Sequence, residues 1–450
     1  MMLRAILLAA GKGTRMKSAH PKVLHEICGR SMLWYAVRAL RDAGVDEILV
    51  VTNPELHGRI GEFGVKGVVQ EPQLGTGHAV QIALRELEER DGRIIVANGD
   101  MPLLGAELFS AVLHHLDRHS DAAVAMITAR MPLPSNFGRV LRSGEFVTAV
   151  VEERDCTADQ RAIDEMNAGV YAYDERALRE SAGELKNDNA QKEYYLTDTV
   201  ASIARSGKRA VAVRAEDHRD VLGVNDRIEL ARAGKVMNER LCERYMASGV
   251  TIIDPATTYL EPELQIGRDT VIYPHSSIAR LSVIGEGCVI GPGSRLSNAT
   301  LGARATVRES VVTDSVVGEN CTVGPFAHLR GHTELQADVR IGNFVEIKNS
   351  KLKKGAKASH LAYLGDAEIG EEANIGAGTI TCNYDGSKKN KTSIGKNVAI
   401  GSNTSIVAPR TIGDGALTGA GSVVTKDIAP GDRVAGNPAK PLPKKSSDLP

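Results

Sequence analysis

The chain has 450 residues, roughly three times the usual size of one domain, so at least two domains are expected. Its 55 Lys and Arg side chains nearly cancel its 56 Asp and Glu side chains, which argues against a nucleic-acid or anionic membrane partner and favours small-molecule ligands. No apolar stretch approaches the roughly 20 residues of a membrane span, and the six cysteines form neither a CxxC pair nor a close-spaced framework. We therefore expect a cytoplasmic protein with reduced thiols.

Residues up to about 226 alternate short apolar runs with helix-like patterns. The run from Ala5 to Ala10 predicts a buried strand, and Ser31 and Gly44 carry the start and stop signals of an amphipathic helix. Further predicted elements are the strands Glu47–Val51 and Arg93–Ala97 and a helix over Gly77–Glu89. This alternation favours a Rossmann-like, mostly parallel sheet covered by helices, with ligands beyond the carboxyl ends of the strands.

The stretch from Arg227 to Ser248 is rich in Arg and Glu and lacks proline. Its apolar residues follow a helical period, so we predict a helical linker between two domains.

Beyond residue 248 the apolar period changes to six. The aliphatic positions are Ile266, Ile272, Ile278, Ile284, Ile290 and Leu296, then Val317, Val323, Leu329, Leu335, Ile341 and Ile347, then Ile394, Ile400, Ile406 and Ile412. Glycine follows the aliphatic residue at Gly267, Gly285, Gly291, Gly318, Gly324, Gly342, Gly370, Gly376, Gly395, Gly401 and Gly413 and is expected to supply tight corners. The pattern predicts a parallel β-helix of hexapeptide repeats with stacked aliphatic side chains inside, and three exact registers disfavour the alternative of an ordinary β-sandwich.

A glycine loop follows the first predicted strand. The run Leu8-Ala9-Ala10-Gly11-Lys12-Gly13-Thr14-Arg15-Met16, with Lys22 beyond it, can bring backbone N–H groups and positive charge against phosphates. It is not a dinucleotide fingerprint, because Met16 stands where the third glycine should be. Taken alone, such a loop can equally be a structural turn.

This run, Lys22, the segment from Gln70 to His78 and Asn98-Gly99-Asp100 resemble the sugar-phosphate nucleotidyltransferases. Joined to hexapeptide repeats, they make the chain similar over nearly its whole length to the bacterial bifunctional N-acetylglucosamine-1-phosphate uridyltransferases/glucosamine-1-phosphate acetyltransferases. The resemblance implies a left-handed coil, which the period alone does not, and a homotrimer. It implies four segments: a nucleotidyltransferase domain 1–226, the linker 227–248, an acetyltransferase β-helix 249–440 and a disordered tail 441–450.

For the first domain the resemblance implies in-line attack of a sugar-1-phosphate oxygen on the α-phosphorus of UTP, with pyrophosphate leaving. Residues expected around the nucleotide are Leu8, Ala9, Ala10, Gly11, Gly75, Thr76, Asn98 and Gly99, with Gln70 on the uracil and Lys22 and Arg15 on phosphate. Gly138, Glu152 and Asn167 are expected to line the sugar of N-acetylglucosamine-1-phosphate. Asp100 and Asn225 are expected to hold Mg²⁺, which accepts oxygen ligands and shares them with phosphates, although an aspartate after a strand is by itself more often a turn residue.

For the second domain, the hexapeptide register breaks at Lys351–Leu364 and at Thr381–Thr392, and such interruptions often carry function. His360 lies in the first break within a His-x-x-Tyr-Leu-Gly-Asp segment typical of the family, and an unperturbed histidine titrates near 6.5, which suits a base acting on an amine. The resemblance assigns glucosamine-1-phosphate to Arg330, Lys348, Tyr363 and Asn374, and acetyl-CoA to Ala377, Asn383, Tyr384, Ser402 and Ala420. An arginine expected near the C-terminus is missing, and Lys440 is the candidate in its place.

Two alternatives compete with this interpretation. One is a single-activity sugar-1-phosphate nucleotidyltransferase with a structural or regulatory β-helix, against which His360 and the Asn383-Tyr384 pair argue. The other is a trimerising scaffold without chemistry, which the loops of Lys22 and Asp100 contradict.

Overall fold

The computed structural model describes residues 2–442, and the chain forms two compact units that divide between Met237 and Asn238. Within that range no helix has both the length and the apolar character that a membrane crossing needs. Most of the tail predicted to be disordered lies outside the described residues. Its first residue, however, belongs to a strand, Lys440–Pro441, which pairs antiparallel with Arg433–Ala435.

The first unit contains eleven of the described strands. They are β1 Leu3–Leu8, β2 Glu26–Ile27, β3 Arg30–Ser31, β4 Glu47–Thr52, β5 Lys66–Val69, β6 Arg93–Asn98, β7 Ala122–Arg130, β8 Arg139–Ser143, β9 Phe146–Val151, β10 Glu165–Asp174 and β11 Arg209–Arg214. The α-helices are α1 Met32–Asp42, α2 Pro54–His57, α3 Thr76–Glu86, α4 Ala106–Arg118, α5 Ala158–Arg161, α6 Glu175–Gly183, α7 Asp198–Arg205 and α8 Arg227–Ala247. Short 3₁₀ turns lie at Thr14–Met16, Lys22–Leu24, Ile60–Phe63, Glu153–Asp155 and His218–Val221.

The predicted helix and strands of this unit are confirmed, with shifts of one to three residues at their ends. Ser31 caps α1 by accepting a hydrogen bond from the backbone N–H of Trp34, and Gly44 beyond the helix has φ +82°. Nine strands form one sheet in the order β5-β4-β1-β6-β10-β7-β11-β9-β8. The neighbours β5, β4, β1 and β6 are parallel, while β10 runs antiparallel to both β6 and β7.

Side chains of the central strands alternate between two cores, one on each face of the sheet. On β1, Ala5 and Leu7 pack with helices α1 and α4, whereas Ile6 packs with α3, α6 and α7. A strand buried on both faces needs an unbroken apolar run, which is why the sequence shows no period of two there.

Helix α8 is not a free connector, because each half of it packs within one unit. Ala233 lies in a small core of the first unit, while Cys242 and Tyr245 are buried in the second. Asn238 ties the second half to the start of the coil, since its Nδ2 donates to the carbonyl of Thr258 at 2.8 Å. The division of the chain into four segments stays a prediction.

The second unit is a coil of short parallel strands. They are β12 Thr251–Ile252, β13 Tyr259–Leu260, β14 Gln265–Ile266, β15 Val271–Ile272, β16 Ser277–Ile278, β17 Val283–Ile284, β18 Val289–Ile290, β19 Arg295–Leu301, β20 Thr306–Val307, β21 Val311–Val317, β22 Thr322–Val323, β23 His328–Arg330, β24 Glu334–Leu335, β25 Arg340–Asn343, β26 Glu346–Lys348, β27 Lys351–Leu352, β28 Lys357–His360, β29 Tyr363–Gly365, β30 Ala367–Ile369, β31 Asn374–Ile375, β32 Ile380–Cys382, β33 Thr392–Ile394, β34 Ala399–Ile400, β35 Ser405–Val407, β36 Arg410–Ile412, β37 Leu417–Thr418, β38 Val423–Val424, β39 Arg433–Ala435 and β40 Lys440–Pro441.

These strands stack into three ladders, which are the faces of a prism. Face A is the ladder that contains β25, β28, β31 and β34; face B contains β23, β26, β29 and β32; face C contains β24, β27, β30 and β33. The predicted parallel β-helix is therefore confirmed. Fifteen of the sixteen predicted aliphatic positions are buried, and Ile266 is partly exposed.

The glycines after the aliphatic positions have a different role from the predicted one. Most of them do not have positive φ; a Cβ on Gly267, for example, would lie 2.6 Å from the backbone N of Glu286 on the next coil. They permit close approach of successive coils. The left-handed corner falls three residues after the aliphatic position, as at Asp269 and His275.

One of the two predicted register breaks is not an insertion. Ile341 pairs with Ala358, 17 residues on, whereas Ile272 pairs with Ile290, 18 residues on, so the coil that contains His360 is one residue short. A tight corner loses that residue, as also happens where Ile290 pairs with Val307. The second break is an insertion, since Ile375 pairs with Ile400, 25 residues on, and residues 383–391 bulge out between β32 and β33.

Candidate active sites

The glycine loop begins where β1 ends, and its path depends on glycine. Leu8 pairs with Asn98 at the end of β6 and with Val51 on β4, so three strands finish at the same edge of the sheet. Gly13 has φ +59°, and a Cβ there would lie 2.7 Å from the Cβ of Lys22. A side chain at Gly13 would therefore push Lys22 away from the loop.

A cleft of about 450 Å³ lies beyond this edge. It is lined by Leu8, Ala9, Ala10, Gly11, Lys12, Lys22, Val23, Gln70, Gln73, Gly75, Thr76, Ala79, Asn98, Asp100 and Glu193. Ten of these are among the residues expected from the sequence, and Gly99 adjoins them because its N–H donates to the carbonyl of Leu8 at 2.9 Å. The sequence analysis missed Lys12, Gln73 and Glu193.

The segment 70–76 is held against the glycine loop by two glutamines. Gln70 Nε2 donates to the carbonyl of Gly75 at 2.9 Å, and Gln73 Nε2 donates to the carbonyl of Ala10 at 2.6 Å. Gly75 has φ +106°, and a Cβ there would lie 2.6 Å from the carbonyl oxygen of Tyr194. Since Gln73 lies within the Gln70–His78 segment already singled out, its role was within reach of the sequence.

Asp100 and Asn225, far apart in the chain, meet at one ammonium group. Lys22 Nζ contacts Asp100 Oδ2 and donates to Asn225 Oδ1 at 3.3 Å. The backbone joins the two segments, because the N–H of Val224 donates to the carbonyl of Asp100 at 3.0 Å. Glu229 Oε2 accepts from the backbone N–H of Asn225 at 2.7 Å and holds it in place.

Two hard oxygen donors that converge on a cation fit a magnesium ion. Within residues 2–442 no group of three or more His, Cys, Asp and Glu side chains is arranged to hold a metal. An ion on Asp100 and Asn225 would thus depend on ligand phosphates and water for its other positions, which is the usual binding mode of Mg²⁺ with nucleotides.

Gly138, Glu152 and Asn167 lie together beside this cleft. The N–H of Asn167 donates to the carbonyl of Gly138 at 2.9 Å, and a Cβ on Gly138 would lie 3.6 Å from Glu152 Oε2. Because β10 is antiparallel to β6, its first residues, including Asn167, reach the edge where β6 ends. Burial raises the pKa of Glu152, and a hydrogen bond from Thr197 Oγ1 at 3.1 Å opposes that shift.

Arg15 is not brought into the cleft. It is exposed on the turn Thr14–Met16 and lines an adjoining cavity of about 530 Å³, together with Asn225 and Arg232. The left-handed conformations of Gly13 and Lys17 on either side of the turn direct this segment away from the cleft. The expected placement of Arg15 on the nucleotide phosphates is therefore not what the structure shows.

In the second unit, the residues assigned to acetyl-CoA lie along one edge of the prism. His360 ends β28, pairs with Asn343 and is exposed at the corner between faces A and B. The same corner of the following coils carries Ala377, Ser402 and Ala420, and backbone bonds such as Asn403 N–H to the Ala377 carbonyl at 2.6 Å tie these coils together. A column of small residues next to His360 leaves room for an extended ligand along the coil axis.

The residues assigned to glucosamine-1-phosphate lie mainly on face B. Arg330 and Lys348 are paired neighbours at its other edge, where Lys389 from the inserted loop also lies. The ammonium of Lys389 lowers the pKa of Lys348, which shows that the cations crowd together. Asn374 is on face A beside Lys357 instead, so the structure does not bring it together with the other three.

Tyr363 stands between the two edges of face B. Asn383 is buried and its Nδ2 lies 3.4 Å from the hydroxyl of Tyr363, whereas Tyr384 is exposed on the inserted loop. Lys440 is exposed on β40, paired with Ala435. The sequence analysis missed Lys389, although it lies within the break at Thr381–Thr392.

Comparison with known proteins agrees with this architecture. A family model for the MobA-like NTP transferase domain matches residues 5–188, one for the GMPPB C-terminal domain matches residues 258–352, and one for the bacterial transferase hexapeptide (six repeats) matches residues 391–426. The chain is 46% identical to the bifunctional protein GlmU of Heliobacterium modesticaldum over 95% of this chain and 94% of the relative. It is 45% identical to that of Trichlorobacter lovleyi over the same shares, and 44% identical to that of Geobacillus sp. over 94% and 93%.

Proposed function

Because this chain belongs to the GlmU family of bifunctional transferases, we propose that each of its two units carries one of the two active sites. The protein is an acetyltransferase that converts glucosamine-1-phosphate to N-acetylglucosamine-1-phosphate, and a nucleotidyltransferase that makes UDP-N-acetylglucosamine from this product and UTP. The alternative of one activity with an inert coil is not favoured, because similarity to bifunctional relatives extends over both units.

The observation that carries the first assignment is the convergence of Asp100 and Asn225 on the ammonium of Lys22. The family implies a divalent metal, and we assign Mg²⁺ to these two oxygens. When bound there, the ion supplies positive charge to the phosphates of UTP. Lys22 must leave both oxygens for an ion to occupy them, and the phosphates then become its natural partner.

Other residues of this cleft bind and orient the substrates. Gln70 already donates from Nε2 to the chain, so its Oε1 is the acceptor available for uracil. The buried carboxyl of Glu152 and the amide of Asn167 face the sugar. No protein nucleophile is needed, because the phosphate oxygen of N-acetylglucosamine-1-phosphate attacks the α-phosphorus of UTP and pyrophosphate leaves.

In the second site, His360 is assigned as the base. Its imidazole takes a proton from the amine of glucosamine-1-phosphate as the nitrogen attacks the thioester carbonyl, and coenzyme A leaves as the thiol. Arg330, Lys348 and Lys389 hold the sugar phosphate, since three cations on one edge match its charge. Acetyl-CoA lies along the column of Ala377, Ser402 and Ala420.

One assay tests both assignments together. Purified protein is incubated with glucosamine-1-phosphate, acetyl-CoA, UTP and Mg²⁺, and the products are separated. UDP-N-acetylglucosamine should appear only with all components, because the second reaction uses the product of the first. Formation of a UDP-sugar without acetyl-CoA consumption would contradict the assignment of the acetyl-transfer site.

We further propose that the chain forms homotrimers. Phe326, Phe344 and Leu361 occupy left-handed corners on three successive coils between faces A and B, and their side chains are 52%, 57% and 63% exposed. The two phenylalanine rings stack at 5.4 Å. A continuous apolar edge beside His360 favours contact with a second copy.

Light scattering should therefore give about three times the chain mass of 48.1 kDa. Phe344→Asp should shift the protein towards the monomer, because it places a charge on the apolar edge. Tyr259→Asp, which changes an exposed aromatic residue on a face of the coil, is the control. A mass near 48.1 kDa for the unmodified protein would contradict the trimer.

A further inference from the structure

Asp366 closes the His-x-x-Tyr-Leu-Gly-Asp segment, yet neither reaction has given it a role. It occupies the corner that follows β29, with φ +50°. Its backbone is tied to both neighbouring coils, since its N–H donates to the carbonyl of Lys348 at 3.0 Å and its carbonyl accepts from the N–H of Thr392 at 3.1 Å. The carboxylate therefore stands at the edge of face B that carries the cations.

Each oxygen of this carboxylate accepts from a different asparagine. Asp366 Oδ2 accepts from Asn383 Nδ2 at 2.5 Å, and Oδ1 accepts from Asn349 Nδ2 at 2.6 Å. Asn383 is 6% exposed, so its side chain has few alternative partners. Its Nδ2 also lies within hydrogen-bond distance of Tyr363 Oη, at 3.4 Å.

The chemistry of these groups leaves one arrangement. An ionised carboxylate only accepts hydrogen bonds, so a turned amide would place Asn383 Oδ1 against Asp366 with no proton between them. Asn383 Nδ2 thus uses its two protons on Asp366 and on the oxygen of Tyr363. The amide oxygen of Asn383 faces away from the carboxylate, and the hydroxyl proton of Tyr363 is free to be donated elsewhere.

The backbone makes room for this arrangement at Gly365. A Cβ there would lie 2.5 Å from Tyr363 Oη and 2.6 Å from Asn383 Nδ2. No side chain fits at that position, so the contact between these two groups depends on the glycine that precedes Asp366.

We propose that Asp366 is a positioning residue of the acetyl-transfer site. It fixes the amide of Asn383 in one orientation and, through that amide, sets the hydroxyl of Tyr363 as a donor towards glucosamine-1-phosphate. The inference rests on the proposed function of this site, and it adds a residue that touches neither substrate.

The coil offers a matched control in Asp314. It too occupies a left-handed corner between faces B and C, with φ +48°, and its Oδ1 accepts from Asn298 Nδ2 at 2.7 Å. Asp314 lies three coils before Asp366, at the same corner, and its asparagine partner is exposed. Replacing either aspartate by alanine removes an Asn–Asp contact of the same kind, so the two variants should show similar changes in Tm.

The test compares Asp366→Ala with Asp314→Ala in steady-state acetylation. Asp366→Ala should lower kcat/KM for glucosamine-1-phosphate by about 10- to 100-fold, with a raised KM for this acceptor, because misplaced contacts lose orientation. Asp366→Asn, which keeps an acceptor oxygen, should lose less. Asp314→Ala should stay within about twofold of the parent enzyme, and nucleotide transfer should be unchanged in all variants.

A double-mutant cycle shows whether Asp366 acts through Asn383. In an Asn383→Ala background, Asp366→Ala should cost no more than about twofold, because its partner is already absent. Full multiplication of the two effects would overturn the inference, as would parental kcat/KM in Asp366→Ala while the parent enzyme acetylates normally. A parent enzyme that releases no coenzyme A thiol would instead overturn the proposed acetyl-transfer function itself.

Discussion

Replacing His360 with alanine should lower acetylation by roughly 10²- to 10⁴-fold and leave nucleotide transfer unchanged. A protonated amine has no lone pair with which to attack a thioester, so the site needs a base that works near neutral pH. His360 is exposed at the corner from which the column of Ala377, Ser402 and Ala420 continues, in contact range of a ligand along that edge. Release of free thiol from acetyl-CoA measures the first effect, and pyrophosphate release measures the second.

His275→Ala is the matched control for this variant. His275 is also an exposed histidine at a left-handed corner of the coil, but it lies several coils before the proposed site. It should acetylate at the parental rate. If His360→Ala released thiol at the parental rate as well, another group would be the base and the assignment of this site would be wrong.

Asp100→Asn should reduce nucleotide transfer to a small fraction of the parental rate and leave acetylation intact. The substitution keeps the size of the side chain but removes the one formal negative charge of the pair that holds Lys22, and a divalent ion loses its strongest protein ligand. Pyrophosphate release at several Mg²⁺ concentrations measures the loss. Binding of Mn²⁺ in the presence of UTP, followed by electron paramagnetic resonance, should weaken in parallel.

The control for Asp100→Asn is Asp121→Asn, which removes an aspartate paired with Arg209 on the surface of the same unit. Surface ion pairs of this type contribute little, so both activities should be unchanged. Parental Mn²⁺ binding and parental formation of UDP-N-acetylglucosamine in Asp100→Asn would rule out the metal assignment.

Much of the fold could be predicted because it depends on local patterns. The run at Ala5–Ala10 is apolar on every residue because β1 is covered on both faces, and Ser31 and Gly44 mark the ends of α1 by backbone geometry that any helix shares. The aliphatic residues six apart in sequence require one inward side chain per strand, which only a coil with flat faces supplies.

The candidate sites were predicted less evenly. The residues of the nucleotide cleft could be assigned from family motifs, and the structure brings ten of them into one cavity. Arg15 could not be placed, because the left-handed conformations of Gly13 and Lys17 decide where its turn points. Asn374 was expected with Arg330, but the order of the strands puts it on another face. These misplacements concern direction, which sequence motifs do not encode.

The sequence by itself determined which segments form strands, helices and coils, and which residue types carry the chemistry, because period, capping and motif are properties of neighbours along the chain. Only the tertiary structure decided that Asp100 and Asn225 meet at Lys22, that Lys389 joins Lys348, and that Asp366 orients Asn383. Each of these contacts depends on which strand pairs with which, and on corners that shorten or extend a coil. The energy that selects them comes from packing and hydrogen bonding between residues distant in sequence, so no local pattern records them.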